Sequence, residues 1–342
     1  MILVLGLNPG CGASKSEPMS PVSEEINWEI GKTTVYGTIT RPDDKEIHPA
    51  VLFIAGSGPT DRDWNSPLIP GTNGSGRLLA EALASRGFVT FRYDKRISGT
   101  HAKDNFPYLI GEISMRSHLD EVQGAANLLL SRTDVDHDQV FVLTNSEGAI
   151  HALNYQRQAG ESPLAGFVLT GAPGRPIAEL AKTQVQAMFS DLPDSNRLMQ
   201  LYEKAVSDFE TGRPVEPDPA LPDPAKQLLL SLSTPANLPF ARELWDTDIS
   251  PWLRDTNKSI LVVIGKKDIQ VDYKLDGSRL EDAAKGKTNI AFIYPENANH
   301  VLKYEGKPRT QLGPKDSLNY NTDGRILDQD ALKAIVEFMN NR

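Results

Sequence analysis

The sequence predicts an α/β fold: a doubly wound, mostly parallel sheet with a helical cap inserted into it. Three observations point there. Short, continuous apolar runs recur along the chain. Helical patterns stand between them. One long stretch carries helices but no strand signal.

Residues 1–23 stand outside that rhythm. Residues 1–13 (MILVLGLNPGCGA) hold the single cysteine, Cys11. An apolar start, small residues and a Cys resemble a lipoprotein export signal, but no Lys or Arg precedes the apolar stretch and Asn8-Pro9 interrupts it. Residues 14–23 (SKSEPMSPVS) read as a linker. The expectation is a flexible segment, at most a degenerate export signal. Localisation is cytoplasmic by default, with export or lipid anchoring through Cys11 as the alternative.

From residue 26 the pattern is regular. Residues 26–30 and 33–40 (TTVYGTIT) alternate and are β-branched, which predicts an antiparallel hairpin turning at Gly31-Lys32. The runs at 50–55 (AVLFIA), 88–93 (FVTFRY), 140–143 (VFVL), 166–169 (GFVL), 259–264 (SILVVI) and 289–293 (NIAFI) are continuous, as in strands covered on both faces. Between them, 77–86 has Leu78, Leu79, Ala82 and Leu83 on one stripe and ends at Gly87, a helix C-cap residue. Residues 115–130, 147–158 and 331–340 also have helical spacing. The predicted core is 24–175 with 251–342. The predicted cap is 176–250, with helices near 177–190, 195–210 and from about 224. No internal repeat is visible.

Composition narrows the function. Acidic residues outnumber basic ones, 45 to 36, so the net charge of −9 argues against a nucleic-acid backbone or an anionic membrane surface as partner. No apolar run approaches the roughly 18 residues of a membrane span. One Cys excludes an internal disulfide framework and a Cys-rich metal site. No cofactor or metal is expected, and the oligomeric state is open.

The chemistry concentrates at strand ends. After 140–143 comes Thr144-Asn145-Ser146-Glu147-Gly148. A serine between a buried strand and a helix occupies a sharp turn that pushes its Oγ out of the sheet. The usual spelling is G-x-S-x-G; here Thr144 replaces the first Gly, and Ser146 also reads as a plain helix N-cap. Serine hydrolysis needs a base to take the Ser proton and a carboxylate to orient the base. Downstream, 259–264 is followed by Asp268 and 289–293 by His300, in the order Ser, acid, His. Asp272 and Asp276 are fallback acids. His48, His137 and His151 compete poorly with His300, whereas His101 is placed to line a pocket.

The loop after 50–55 reads Gly56-Ser57-Gly58-Pro59-Thr60-Asp61-Arg62-Asp63. Its glycines allow close backbone approach, so Gly56 and Gly58 are candidate substrate contacts. The backbone N–H groups of Ser57 and Glu147 are the candidate oxyanion donors. Arg92, Asp94, Lys95 and Arg96 are read as salt bridges at the core rim that hold this loop. The Asp61-Arg62-Asp63 run is read the same way.

The strings FIAGSGPTDRDWN (53–65), FRYDKR (91–96), LTNSEGAI (143–150), LTGAPGRP (169–176), VIGKKDIQV (263–271) and NANHVLK (297–303) together resemble bacterial serine α/β-hydrolases of the carboxylesterase type. The G-S-G-P-x-D-R-D loop is the most specific part, and the resemblance spans roughly 26–342. The departures are Thr144 and the Ile97-Ser98-Gly99 triplet, where that family has a Gly directly after the Arg. The resemblance implies an α/β-hydrolase fold, Ser146 as nucleophile, His300 as base, Asp268 as orienting acid, and N–H groups of Ser57 and Glu147 at the oxyanion.

The expected activity is therefore hydrolysis of small-molecule carboxylic esters, short in the acyl chain, through an acyl-Ser146 intermediate. Met188 and Phe189 in the cap are candidate walls of the acyl pocket. A thioesterase would show a basic patch at the pocket mouth. A serine aminopeptidase would use cap acids such as Glu179, Asp191 or Glu203 for a substrate amine. A non-catalytic binding module on the same fold is the reading from another class.

Overall fold

The computed structural model describes residues 20–160 and 162–342. The export-signal reading, Cys11 included, lies outside the described residues. Part of the expected linker does not: Pro21–Ile30 is strand β1, paired antiparallel with β2 (Thr33–Pro42). Residues 21–23 join the strand because they extend the hairpin register to residues 40–42, and Ser23 Oγ meets Thr40 Oγ1 at 2.9 Å.

The chain continues through β3 (His48–Ile54), α1 (Ser75–Ala84), β4 (Val89–Tyr93), α2 (Ala102–Asn105), α3 (Met115–Leu130), β5 (Val135–Asn145), α4 (Gly148–Ala159) and β6 (Gly166–Thr170). A run of helices without a strand follows: α5 (Ile177–Phe189), α6 (Ser195–Glu210), α7 (Asp223–Ser233), α8 (Leu238–Trp245) and α9 (Ser250–Asp255). Then come β7 (Ser259–Val263), α10 (Leu275–Ala283), β8 (Ile290–Ile293) and α11 (Gln329–Asn340). No described helix is long and apolar enough to cross a membrane.

One sheet carries all eight strands in the order β1-β2-β4-β3-β5-β6-β7-β8. It is parallel from β4 to β8; β2 runs against these strands, and β1, antiparallel to β2, runs in their direction again. Side chains alternate across the strands into two apolar layers. Ala50, Leu52 and Ile54 of β3 join α3, α4 and α10 on one face. Val51 and Phe53 join α1 and α11 on the other. This two-sided burial is why the sequence shows continuous rather than alternating runs.

β5 begins at Val135, earlier than its apolar run. Val135 pairs with His48, and a register shift follows before Ala50 meets Val140. His137 therefore stands in an irregular strand rather than the turn its acidic neighbours suggested.

The arrangement fixes where a site can form. From β3 the chain moves to β4 on one side, then crosses to β5 on β3's other side. The strand order reverses there, so the loops leaving β3 and β5 diverge and open a crevice at their carboxyl ends. Those loops begin at Ala55 and Ser146.

Candidate active site

Ser146 follows β5 with φ 54°, a left-handed backbone that a non-glycine residue rarely adopts. The strain is held by neighbours: its N–H donates to Thr170 O at 2.8 Å, and its carbonyl accepts from Ala149 N–H at 2.9 Å. Gly148 is required because the helix start crosses β3; a Cβ there would stand 2.5 Å from Ile54 O. Thr144 is fully buried and lies in regular register between Ile54 and Leu169. Its Oγ1 is directed to Val168 O at 3.4 Å. The β-branched residue thus sits in the strand proper, before the turn tightens.

His300 and Asp268 come together. The imidazole Nδ1–H donates to Asp268 Oδ2 at 2.8 Å, with both side chains buried. Asp268 Oδ1 accepts from the N–H groups of Gln270 (2.8 Å) and Val271 (2.9 Å), which fixes the carboxylate plane. The fallback acids are otherwise engaged. Asp276 holds Arg175 at 2.9 Å, and Asp272 caps the backbone of Lys274 and Leu275.

The His300 loop is tied to the Ser146 turn. Asn145 Nδ2 donates to His300 O at 3.1 Å. Gly171, next to the carbonyl that holds Ser146, packs on the imidazole, so that a Cβ there would be 3.0 Å from its Cε1. Behind the ring, Tyr320 stacks at 6.5 Å between centroids. Lys303 is fully buried and donates to the carbonyls of Asn73 and Tyr320. Burial pulls its pKa down to about 8. Among the described residues no hydrogen bond joins Ser146 Oγ to the imidazole, whose Nε2 is left free by the pairing with Asp268.

A cavity of about 530 Å³ opens over Ser146. Ser57, Gly58 and Glu147 line it; Gly56 does not. Gly56 packs instead on the turn, where a Cβ would meet Asn145 Oδ1 at 2.9 Å. Neither the Ser57 N–H nor the Glu147 N–H has an acceptor among the described residues. The cap residues expected to line the pocket do not. Phe189 is fully buried with Val185 and Tyr202 in a separate apolar cluster, and Met188 packs against that cluster. The insertion reaches the cavity through other residues, among them Leu180, Leu232, Phe240 and Leu244. His101 is also elsewhere, stacked on Tyr36 at 3.8 Å.

A network of buried charged and polar groups lies beside the cavity. Arg62 pairs with Asp94, Arg92 with Asp63, and Arg96 with Glu121. Glu121 also accepts from His118 Nδ1 at 2.9 Å, and Glu147 meets His151 Nε2 at 3.2 Å. Although burial opposes ionisation, the pairing with His118 and Arg96 holds Glu121 down at about 2. His151, with Lys95 and His118, does the same for Glu147, also at about 2. His118 and His151 lie 4.6 Å apart between ring centroids, against Phe240. Among the described residues no cluster of three or more His, Cys, Asp or Glu is arranged to hold a metal. Sequence reasoning missed Asn145, Tyr320 and Lys303, because their partners are distant in the chain and no local spacing marks them. It also missed His118, whose partner Glu121 is one helical turn on but whose place beside His151 is set by the packing of α3 on α4.

No family model matches the chain. Over 296 residues it is 25% identical to the esterase EstD of Thermotoga maritima, a span of 86% of this chain and 63% of that one. The chain thus covers less than two thirds of that relative's length. The proline iminopeptidase of Mycobacterium smegmatis superposes with a TM-score of 0.54 at 15% identity, over 93% of this chain and 98% of that one. The bromoperoxidase of Bacillus anthracis gives 0.53 at 14%, over 93% and 100%. The fold is that of the α/β-hydrolases. In α/β-hydrolases catalytic groups stand on the strand-end loops, and Ser146, Asp268 and His300 follow β5, β7 and β8.

Proposed function

We propose that this chain is a serine esterase that cleaves small carboxylic esters through an acyl-Ser146 intermediate. Ser146 Oγ attacks the ester carbonyl while His300 Nε2 takes its proton. Asp268 holds the imidazole with Nδ1 protonated and stabilises the imidazolium that forms. The N–H groups of Ser57 and Glu147 receive the oxyanion. His300 then protonates the leaving alcohol and activates the water that releases the acid. The insertion α5–α9 acts as a cap over the cavity, with its apolar wall at the acyl side.

One observation carries this reading: a buried Asp268–His300 pair joined through Asn145 to a strained Ser146 turn, with a cavity above it. Other hydrolase readings find less support. Glu179 and Glu203 are engaged with Arg279 and Lys182, and neither they nor Asp191 line the cavity. Lys95 is the one Lys or Arg on the wall among the described residues, so a basic mouth for coenzyme A phosphates is lacking.

A fluorophosphonate probe tests the proposal. It should add once, at Ser146, as mapped by peptide mass spectrometry. Ser146→Ala should lose both labelling and p-nitrophenyl butyrate hydrolysis while keeping its circular dichroism. Retention of most activity in that variant would refute the assignment. Across acetate, butyrate, octanoate and palmitate esters the maximum should fall among the short chains, and a palmitate maximum contradicts the substrate class.

A further inference from the structure

Among the charged groups at and after the end of β4, Arg92, Asp94 and Arg96 each have an oppositely charged partner. Lys95 has none within ion-pair distance among the described residues. It is 3% exposed, lines the cavity, and donates its ammonium to Gly56 O at 2.5 Å. Gly56 C=O and Ser57 N–H belong to one peptide group, and the chain has no cis peptide bond among the described residues. In a planar trans peptide the oxygen and the N–H point in opposite directions. A cation held on the oxygen therefore fixes where the N–H points. It also draws electron density toward the oxygen through amide resonance, which makes the N–H a stronger donor.

We propose that Lys95 is a positioning residue for the oxyanion hole: its ammonium orients and polarises the Gly56–Ser57 peptide so that Ser57 N–H binds the developing oxyanion. This deepens the acyl-Ser146 reading and rests on it. A neutral side chain would suffice to hold the loop. Keeping a charge in an apolar interior is costly unless it is compensated, and here the compensation is arranged around the site. Glu147 and His151 on one side, and Glu121 and His118 on α3, are the titratable groups that face it. Burial lowers the Lys95 pKa, and the Glu147 and Glu121 carboxylates oppose that shift.

The experiment uses the full chain, p-nitrophenyl butyrate, and a trifluoromethyl ketone that forms an oxyanion adduct on serine. In Lys95→Met the expected loss is in kcat, on the order of tenfold to a hundredfold, with KM held within about twofold. Ketone affinity should fall by the same factor as kcat/KM, while fluorophosphonate stoichiometry stays complete. In Lys95→Arg, kcat should persist and the alkaline limb of the wild-type kcat profile should move up, because a guanidinium does not titrate there. A labelled, folded Lys95→Met that keeps kcat within about threefold, or loses only KM, overturns the inference. If Lys95→Met fails to fold, the Lys95→Arg profile decides: an unmoved alkaline limb overturns it. A wild type that neither turns over the ester nor takes the probe overturns the acyl-enzyme reading and this inference with it. An active, labelled wild type beside an indifferent Lys95→Met overturns this inference alone.

Discussion

At the residue scale, the site depends on a few backbone positions that admit no substitute. Gly148 lets the start of α4 pass across β3 at contact distance. Gly148→Ala should cost about 1–3 kcal/mol in urea unfolding and reduce kcat, since the added Cβ can be relieved only by moving the Ser146 turn. If its unfolding midpoint and kcat match the wild type, the close approach is not as described. The spelling around Ser146 made the turn legible, and Asp268 and His300 were legible from their places after apolar runs. The partners of Asp268 Oδ1, the Asn145 tether and the Lys303 clamp were not. Each joins residues whose proximity is set by the sheet rather than by local spacing, as with Lys303 and the carbonyl of Asn73.

At the scale of elements, the strands and most helices follow from runs and stripes, yet the insertion shows what such stripes leave open. Met188 and Phe189 lie on the apolar stripe of α5, and a stripe does not say which neighbour it meets. In the fold that stripe closes on α6 and α7, while α8 turns Phe240 and Leu244 to the cavity. The insertion is anchored at its start by a buried pair, Arg175 with Asp276 of α10. Asp276 also accepts from the N–H groups of Gly174 and Asp272. Removing one partner leaves the other buried and unpaired. Asp276→Ala should therefore lower stability by about 3–5 kcal/mol and speed proteolysis at the junction before α5. Unchanged stability would mean that the pair does not anchor the insertion.

At the scale of the molecule, acid lability follows from the buried carboxylates beside the cavity. Glu121 and Glu147 have folded pKa values near 2, below the ordinary glutamate value of 4.5. A depressed folded pKa stabilises the native state above the unfolded value, and that stabilisation is lost as pH falls toward the folded one. Urea midpoints should accordingly be flat above about pH 5 and drop steeply between about 4.5 and 2. Glu121→Gln should start lower at neutral pH and show a shallower drop; an identical slope would separate acid lability from this network. The sequence marked Arg96 as one side of a salt bridge but not its partner, because the network joins the segment after β4 to α3 and to the start of α4.

The hairpin that opens the described chain carries one further implication. Among the described residues β1 bonds to β2 alone, which leaves its outer backbone as a template for another strand. Glu25, Asn27 and Glu29 are exposed along it, and they set polar and anionic groups where a second molecule would have to zip on. Replacing these three with threonine should turn that rim adhesive, and heated samples of the variant should scatter light at temperatures where the parent remains clear.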